Sequence, residues 1–340
     1  MLLEGRRFGS LRSTVCIRAH PVWCAFLVVV GQKVSPASHW FDVPCAQVPP
    51  PGPILTVPEL PEVEVLVRYL RPRLLGRTVR RVRVSRPKVL GSTPVARFGR
   101  TLRGATFTGL SRRGKYLLFR LRVRSRAAPF VLTGHLGMTG RMYVMPAHAR
   151  LPRHTPVVFD LGGDSFVFED TRYFGRLTLD GGALARLGPE PLGEEFTAER
   201  FGQTLKRSAQ AIKVRLLDQS LVAGVGNIYA SEALFCARIS PALLARSLTQ
   251  AQVRRLRVAV RRVLREAIQG GSTVPLDYPG RGERDGLFYF GRVADVPDYY
   301  TERLRVYDRE GRPCVRCGAL VKRLLQAGRS TFYCPRFQHR

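Results

Sequence analysis

From Glu62 to Leu75 the apolar side chains Val63, Leu66, Val67, Leu70 and Leu74 recur at the spacing of one helix face. Gly76 then stops the helix. Beyond it the pattern changes from a helical period to alternation. Val79 to Val84 alternates, and Tyr116 to Val123 does so more loosely. Phe130 to Leu132 and Val157 to Leu161 read as short apolar strand cores, separated by Gly, Pro and Asp. Many short strands in about a hundred residues predict a sandwich or barrel.

The character changes again near Gly182. Ala183 to Leu187 and Phe201 to Lys206 read as helical pieces around a Gly- and Pro-containing stretch, Gly188 to Gly193. Ile212 to Leu221 and Ile228 to Ala237 flank the tight segment Val222-Ala223-Gly224-Val225-Gly226-Asn227. A longer helix is predicted from Gln250 to Gln269, with Val253, Leu256, Val260, Val263 and Ala267 on one face and a capping box from Thr249 and Gln252. Arg254, Arg255, Arg257, Arg261, Arg262 and Arg265 cover the rest of it, which suits a solvated face as well as a nucleic-acid surface. Gly270 to Gly291 is a predicted long loop, and no internal repeat is present.

The chain has 340 residues, enough for two domains. Its 56 Lys and Arg against 25 Asp and Glu give a formal charge of +31. An arginine-biased composition accounts for part of that excess; a polyanionic partner, nucleic acid first, accounts for the self-repulsion the fold must offset. The apolar run Cys24 to Val30 is too short to span a bilayer, so no membrane role is expected. The seven cysteines do not form a disulfide-framework pattern. Cys314, Cys317 and Cys334 are spaced like metal ligands, and Cys236 reads as a core residue. A reducing, cytoplasmic compartment follows.

The block Val57-Pro58-Glu59-Leu60-Pro61-Glu62-Val63-Glu64 has the look of a protein N-terminus. It resembles the opening of the formamidopyrimidine-DNA glycosylases, the Fpg branch of the Fpg/Nei family. There the proline is the first residue, and its secondary amine is the nucleophile. An internal proline is a tertiary amide with no lone pair to offer. The expectation is therefore a start just before Pro58, with Val57 in the initiator's place, since GTG encodes valine and can also initiate. Residues 1–57 then form a mis-assigned or removable, disordered extension. They end in Pro49-Pro50-Pro51-Gly52-Pro53, which suits neither helix nor central strand. A signal or transit segment, suggested by Arg6, Arg7, Arg12 and Arg18, is the other reading.

Other stretches carry the same resemblance. Pro58 would attack the sugar C1′, and Glu59 would move protons. Ser111-Arg112-Arg113-Gly114-Lys115-Tyr116-Leu117-Leu118 is similar to the family's strand motif, which makes Lys115 the second catalytic candidate. Gly134-His135-Leu136-Gly137-Met138-Thr139-Gly140 and Glu169-Asp170-Thr171-Arg172-Tyr173-Phe174-Gly175 resemble loops from which Met138, Arg172 and Phe174 would fill the gap left by a flipped base. His154 aligns with a phosphate-contacting histidine, and Glu62 is grouped with the DNA-binding residues. Lys213 and Asn227 to Glu232 look like a helix–two-turns–helix element, in which Gly224 and Gly226 would let the backbone approach a phosphate beside Lys213 and Asn227. Gly328 to Tyr333 matches the finger's arginine motif, with Arg329 a candidate in late elimination. The family closes a four-cysteine zinc site with a second C-x-x-C pair. Here Phe337 stands at the last position, so a zinc ion would take Cys314, Cys317 and Cys334 with His339, or the hairpin is metal-free.

The resemblance implies an α+β protein of two domains. A catalytic β-sandwich flanked by helices would occupy residues 58–181. A helical helix–two-turns–helix domain with a lesion-selecting loop would follow over 182–300, and a zinc-finger-like β-hairpin over 301–340. The expected activity is that of a monomeric bifunctional DNA glycosylase/AP lyase of bacterial base excision repair, associated with the nucleoid. It would excise 8-oxoguanine and formamidopyrimidines from double-stranded DNA, then cut abasic sites by β,δ-elimination. Leu60 favours this purine branch over the Nei branch. A Nei-like enzyme for oxidised pyrimidines is one alternative. A non-catalytic damaged-DNA-binding protein, should Pro58 stay internal, is the other.

Overall fold

The computed structural model describes residues 58–124, 128–270 and 304–339. The predicted extension and the predicted lesion loop, Ser272 to Arg292, lie outside the described residues. Helix α1 (Leu60–Leu74) starts two residues before the apolar pattern does, because Glu59 and Glu62 form a reciprocal capping box and Pro61 fits the first turn. Pro72 falls in its last turn, where the neighbouring Arg71 guanidinium donates twice to the Leu110 carbonyl, at 3.1 and 2.9 Å.

Two four-stranded antiparallel sheets follow. In chain order the strands are β1 (Arg81–Val84), β2 (Thr106–Arg113), β3 (Tyr116–Arg122), β4 (Phe130–His135), β5 (Gly140–Pro146), β6 (Val157–Asp160), β7 (Asp164–Asp170) and β8 (Arg176–Thr178). One sheet has the order β2-β3-β4-β8 and the other β1-β6-β7-β5. Between them Phe166 packs against Phe107, Phe119 and Phe159 at ring separations of 6.2, 5.5 and 5.2 Å. Replacing this central ring with alanine would cost about 3–5 kcal/mol. A helix that the apolar pattern did not announce, α2 (Val95–Leu102), buries only Phe98 and Leu102, too few positions to show a period.

The remaining helices are α3 (Gly182–Ala185), α4 (Ala198–Lys206), α5 (Ile212–Leu216), α6 (Asn227–Ala237) and α7 (Gln250–Gln269). They enclose a second core around Phe196, Leu216, Tyr229, Leu234, Leu256 and Leu264. The predicted Thr249–Gln252 capping box on α7 is present. Its arginines do something that neither sequence reading anticipated. Arg255 and Arg261 turn back onto the Ala237 and Gly193 carbonyls at 2.7 and 2.8 Å, and Arg257 onto that of Phe196. Finally β9 (Lys322–Gln326) and β10 (Arg329–Tyr333) form an antiparallel hairpin. Leu60, the first residue of α1, belongs to the helical core, whereas Val63 onward belongs to the sandwich core. One helix N-terminus thus joins the two domains, and of the predicted site residues Glu59, Glu62 and Lys115 gather there.

Candidate active site

The junction is built on close backbone approach. Leu60 donates its amide to the Gly224 carbonyl at 3.0 Å. Gly224 has a φ of +85°, and a Cβ there would lie 2.6 Å from Leu60 Cβ. At Gly226 a Cβ would meet Glu59 Cδ at 2.4 Å and Lys115 Nζ at 2.6 Å. The sequence suggested that these glycines admit a phosphate. In the structure they also bring Leu60, Glu59 and Lys115 close to the turn.

Glu59 is only 2% exposed. Its carboxylate accepts from the Gly226, Ile228 and Tyr229 amides at 2.7, 2.9 and 3.4 Å, at the positive end of α6. Burial nevertheless pushes its pKa up, against the opposing influence of Lys115 and these amides. Glu62 is also buried, accepting from the Glu59 amide at 2.8 Å and the Tyr229 hydroxyl at 2.6 Å. This corrects its grouping with DNA contacts: both oxygens face inward and are already bonded. Burial first, then the charge of Glu59, raises Glu62 to about 7.

Lys115 lies in the β2–β3 turn, one residue before β3, and is half-buried. Burial lowers its pKa and Arg329 lowers it further, while Glu59 and Glu62 oppose the shift. Arg329 itself is exposed at the start of β10. Glu190 fixes the turn that carries Lys115. It accepts from the Gly114 amide at 2.6 Å and from Arg112 and Arg113 at 2.9 and 3.1 Å. No motif pointed to Glu190, which sits 75 residues along the chain from Lys115 in a stretch that reads only as a loop.

Lys213 is fully buried and donates to Asn227 Oδ1, while Asn227 Nδ2 reaches the Ser330 carbonyl of the hairpin at 2.9 Å. Burial lowers Lys213 to about 8. The lysine thus faces a protein partner; of the pair, Asn227 is the one that is partly exposed.

The predicted wedge forms a separate cluster. Phe174 is 51% exposed with the Arg172 guanidinium 5.0 Å from its ring centre, and Met138 is half-buried. Asp170, wholly buried, organises both loops: it accepts from Thr139 Oγ1 at 2.5 Å, the Gly175 amide at 2.7 Å and the Arg172 amide at 3.2 Å. The sequence motif contains Asp170 but gives no sign of this role. His154 Nδ1 lies 3.1 Å from the Tyr173 hydroxyl. His135, also unassigned, accepts the Gly137 amide through Nδ1 at 3.0 Å, and burial lowers it to about 4. Its ring is therefore neutral near pH 7, with the proton on Nε2.

In the hairpin the sulfurs of Cys314, Cys317 and Cys334 lie within 4.8 Å of one another. His339 does not join them: it is exposed, and its backbone is occupied bridging Ile239. Among the described residues no fourth ligand completes the set, so the donors fall short of the four a structural zinc site uses. Among the described residues no helix is long and apolar enough to cross a membrane.

Comparison with known proteins agrees with this architecture. The chain matches the Formamidopyrimidine-DNA glycosylase N-terminal domain over residues 57–177. It matches the Formamidopyrimidine-DNA glycosylase H2TH domain over 187–277 and the zinc finger found in FPG and IleRS over 311–336. The formamidopyrimidine-DNA glycosylase of Symbiobacterium thermophilum is 43% identical, with 83% of this chain aligned to 89% of that protein. That of Carboxydothermus hydrogenoformans is 39% identical, with 83% of this chain aligned to 100% of it. A solved complex of Lactococcus lactis Fpg with abasic-site DNA superposes with a TM-score of 0.72 at 31% identity, covering 83% of this chain and 100% of that one. Fold, site and relatives together define a DNA glycosylase. The chain belongs to the formamidopyrimidine-DNA glycosylase family.

Proposed function

We propose that the protein is a bifunctional glycosylase/AP lyase that removes oxidised purines, 8-oxoguanine and formamidopyrimidines, from duplex DNA in base excision repair. The observation that carries this reading is the meeting of Glu59 and Lys115 at the buried Gly226, with Pro58 the residue that precedes Glu59 in the chain. The Pro58 nitrogen, as a free amine, attacks C1′; the C1′–N bond breaks and the base leaves with its electron pair and a proton. Glu59, its pKa raised by burial, protonates the sugar ring oxygen so that the ring opens to an iminium at C1′. Loss of a C2′ proton then expels the 3′ phosphate, and a second elimination expels the 5′ phosphate. Lys115 and Arg329 supply positive charge at those phosphates, and burial, which lowers the pKa of Lys115, eases transfer of its proton.

The free amine requires a chain that opens at Pro58. In support, the N-terminal family match begins at residue 57, and 83% of this chain accounts for the whole of the C. hydrogenoformans relative. Arg172, Phe174 and Met138 would enter the duplex behind the flipped nucleotide, offsetting its unstacking energy. Solved Lactococcus lactis complexes hold abasic-site DNA and N7-benzyl-Fapy-dG DNA, which fits this substrate class. A zinc ion in the finger would draw on three thiolates, and no step of the reaction uses it.

Excision assays on duplexes carrying 8-oxoguanine, formamidopyrimidine or an oxidised pyrimidine test the substrate class. The proposal expects release of the two purine lesions at rates well above the pyrimidine. A preference for the pyrimidine would make the enzyme Nei-like.

A further inference from the structure

We infer that the C-terminal hairpin is held in place by the side chain of Phe337, and that its docking is independent of metal. In a four-ligand finger the ion supplies the folding energy, and the apo form is unfolded. Here the position of the fourth ligand carries a ring that packs on Phe235 of α6 with centroids 4.9 Å apart. The Arg238 guanidinium lies 5.1 Å from the centre of the same ring. Phe337 therefore closes an apolar cluster of Phe235, Val306, Val321 and Phe332, with the cysteines among its members. Such a cluster holds without an ion, because its energy comes from apolar burial and ring contacts.

The residues around Phe337 add polar ties that also need no metal. Gln338 accepts from the Cys334 amide at 2.8 Å and donates to the Ile239 carbonyl at 2.9 Å. Ser240 donates its amide to the His339 carbonyl at 2.9 Å, so the residue after Gln338 serves as backbone rather than as ligand. At the entry to the hairpin, buried Glu232 accepts the amides of Arg305, Val306 and Tyr307 at 3.0, 2.9 and 3.0 Å. Both ends of the finger are thus anchored on α6 and the turn that follows it. The three thiols sit inside this frame without being its keystone.

Hydrogen exchange on the full chain tests this, with metal content measured alongside. One sample is as purified and another is stripped by a chelator under native conditions. Amide protection over Lys322–Tyr333 is expected to be the same in both. Phe337→Ala is expected to speed exchange there by about tenfold or more, whether or not zinc is supplied, with Phe337→Leu intermediate. Release of the hairpin by chelation of the unsubstituted chain would overturn the inference, as would full protection in Phe337→Ala. The readout does not depend on catalysis, so it stands apart from the fate of the lyase proposal.

Discussion

Gly226→Ala isolates the steric logic of the junction. The backbone there has a φ of −130°, which alanine adopts freely, so any effect comes from the added methyl group. That methyl would lie 2.4 Å from Glu59 Cδ, 2.5 Å from Glu59 Oε1 and 2.6 Å from Lys115 Nζ. Ordinary carbon contacts begin near 3.5 Å, so each side chain must retreat by about 1 Å. The 2.7 Å bond from the Gly226 amide to Glu59 would lengthen with it. Misplacement on this scale slows a positioned reaction by about 100-fold, or ~2.7 kcal/mol. Overpacking should also lower stability by about 1–3 kcal/mol. Single-turnover excision with enzyme in excess reads the first effect, and urea unfolding reads the second. Affinity for a duplex holding an abasic analogue should change little, because the wedge residues are untouched. An alanine enzyme that excises within about threefold of the parent would refute the reasoning.

Glu62 makes stability depend on pH. Between its ordinary value of 4.5 and its folded value of about 7, the folded state holds more protons than the unfolded one. Stability therefore falls as pH rises through that window, by about 3 kcal/mol, and Glu62→Gln should flatten this part of a urea-unfolding series. Unchanged slopes in the variant would remove Glu62 as the cause. Asp170→Asn replaces an acceptor of three donors with a group that also donates, and should cost about 1–3 kcal/mol. Faster hydrogen exchange confined to residues 137–140 and 171–175 would identify the loss with the wedge. Glu190→Ala releases the β2–β3 turn, so strand cleavage at abasic sites should slow by about tenfold or more while global stability changes less; equal cleavage would show that Lys115 needs no such support.

Much of this was legible in the sequence where a local signal was strong. The α7 boundaries and cap followed from a 20-residue apolar period and a Thr-x-x-Gln box. The strands were legible as a class, because alternation needs few residues. The parts that escaped depend on distant partners. Glu62 reads like any acidic residue near a helix start until Tyr229, 167 positions away, closes over it. The arginines of α7 look like a charged face, and only the carbonyls of Gly193, Phe196 and Ala237 reveal why three of them turn inward. His339 was a plausible ligand by spacing alone, yet its backbone is committed to Ile239 and Ser240. Spacing names the donors a segment offers, while the tertiary fold decides which of them face one another.

The central claim is that the Pro58 nitrogen is the nucleophile. Borohydride reduction of the complex with abasic-site DNA, followed by peptide mapping of the covalent product, tests it most directly. A chain that opens at Pro58 should be trapped, with the DNA fragment on its first residue. The 340-residue chain, kept uncut, should give no adduct. Equal trapping by the uncut chain, with the fragment on Lys115, would contradict the account.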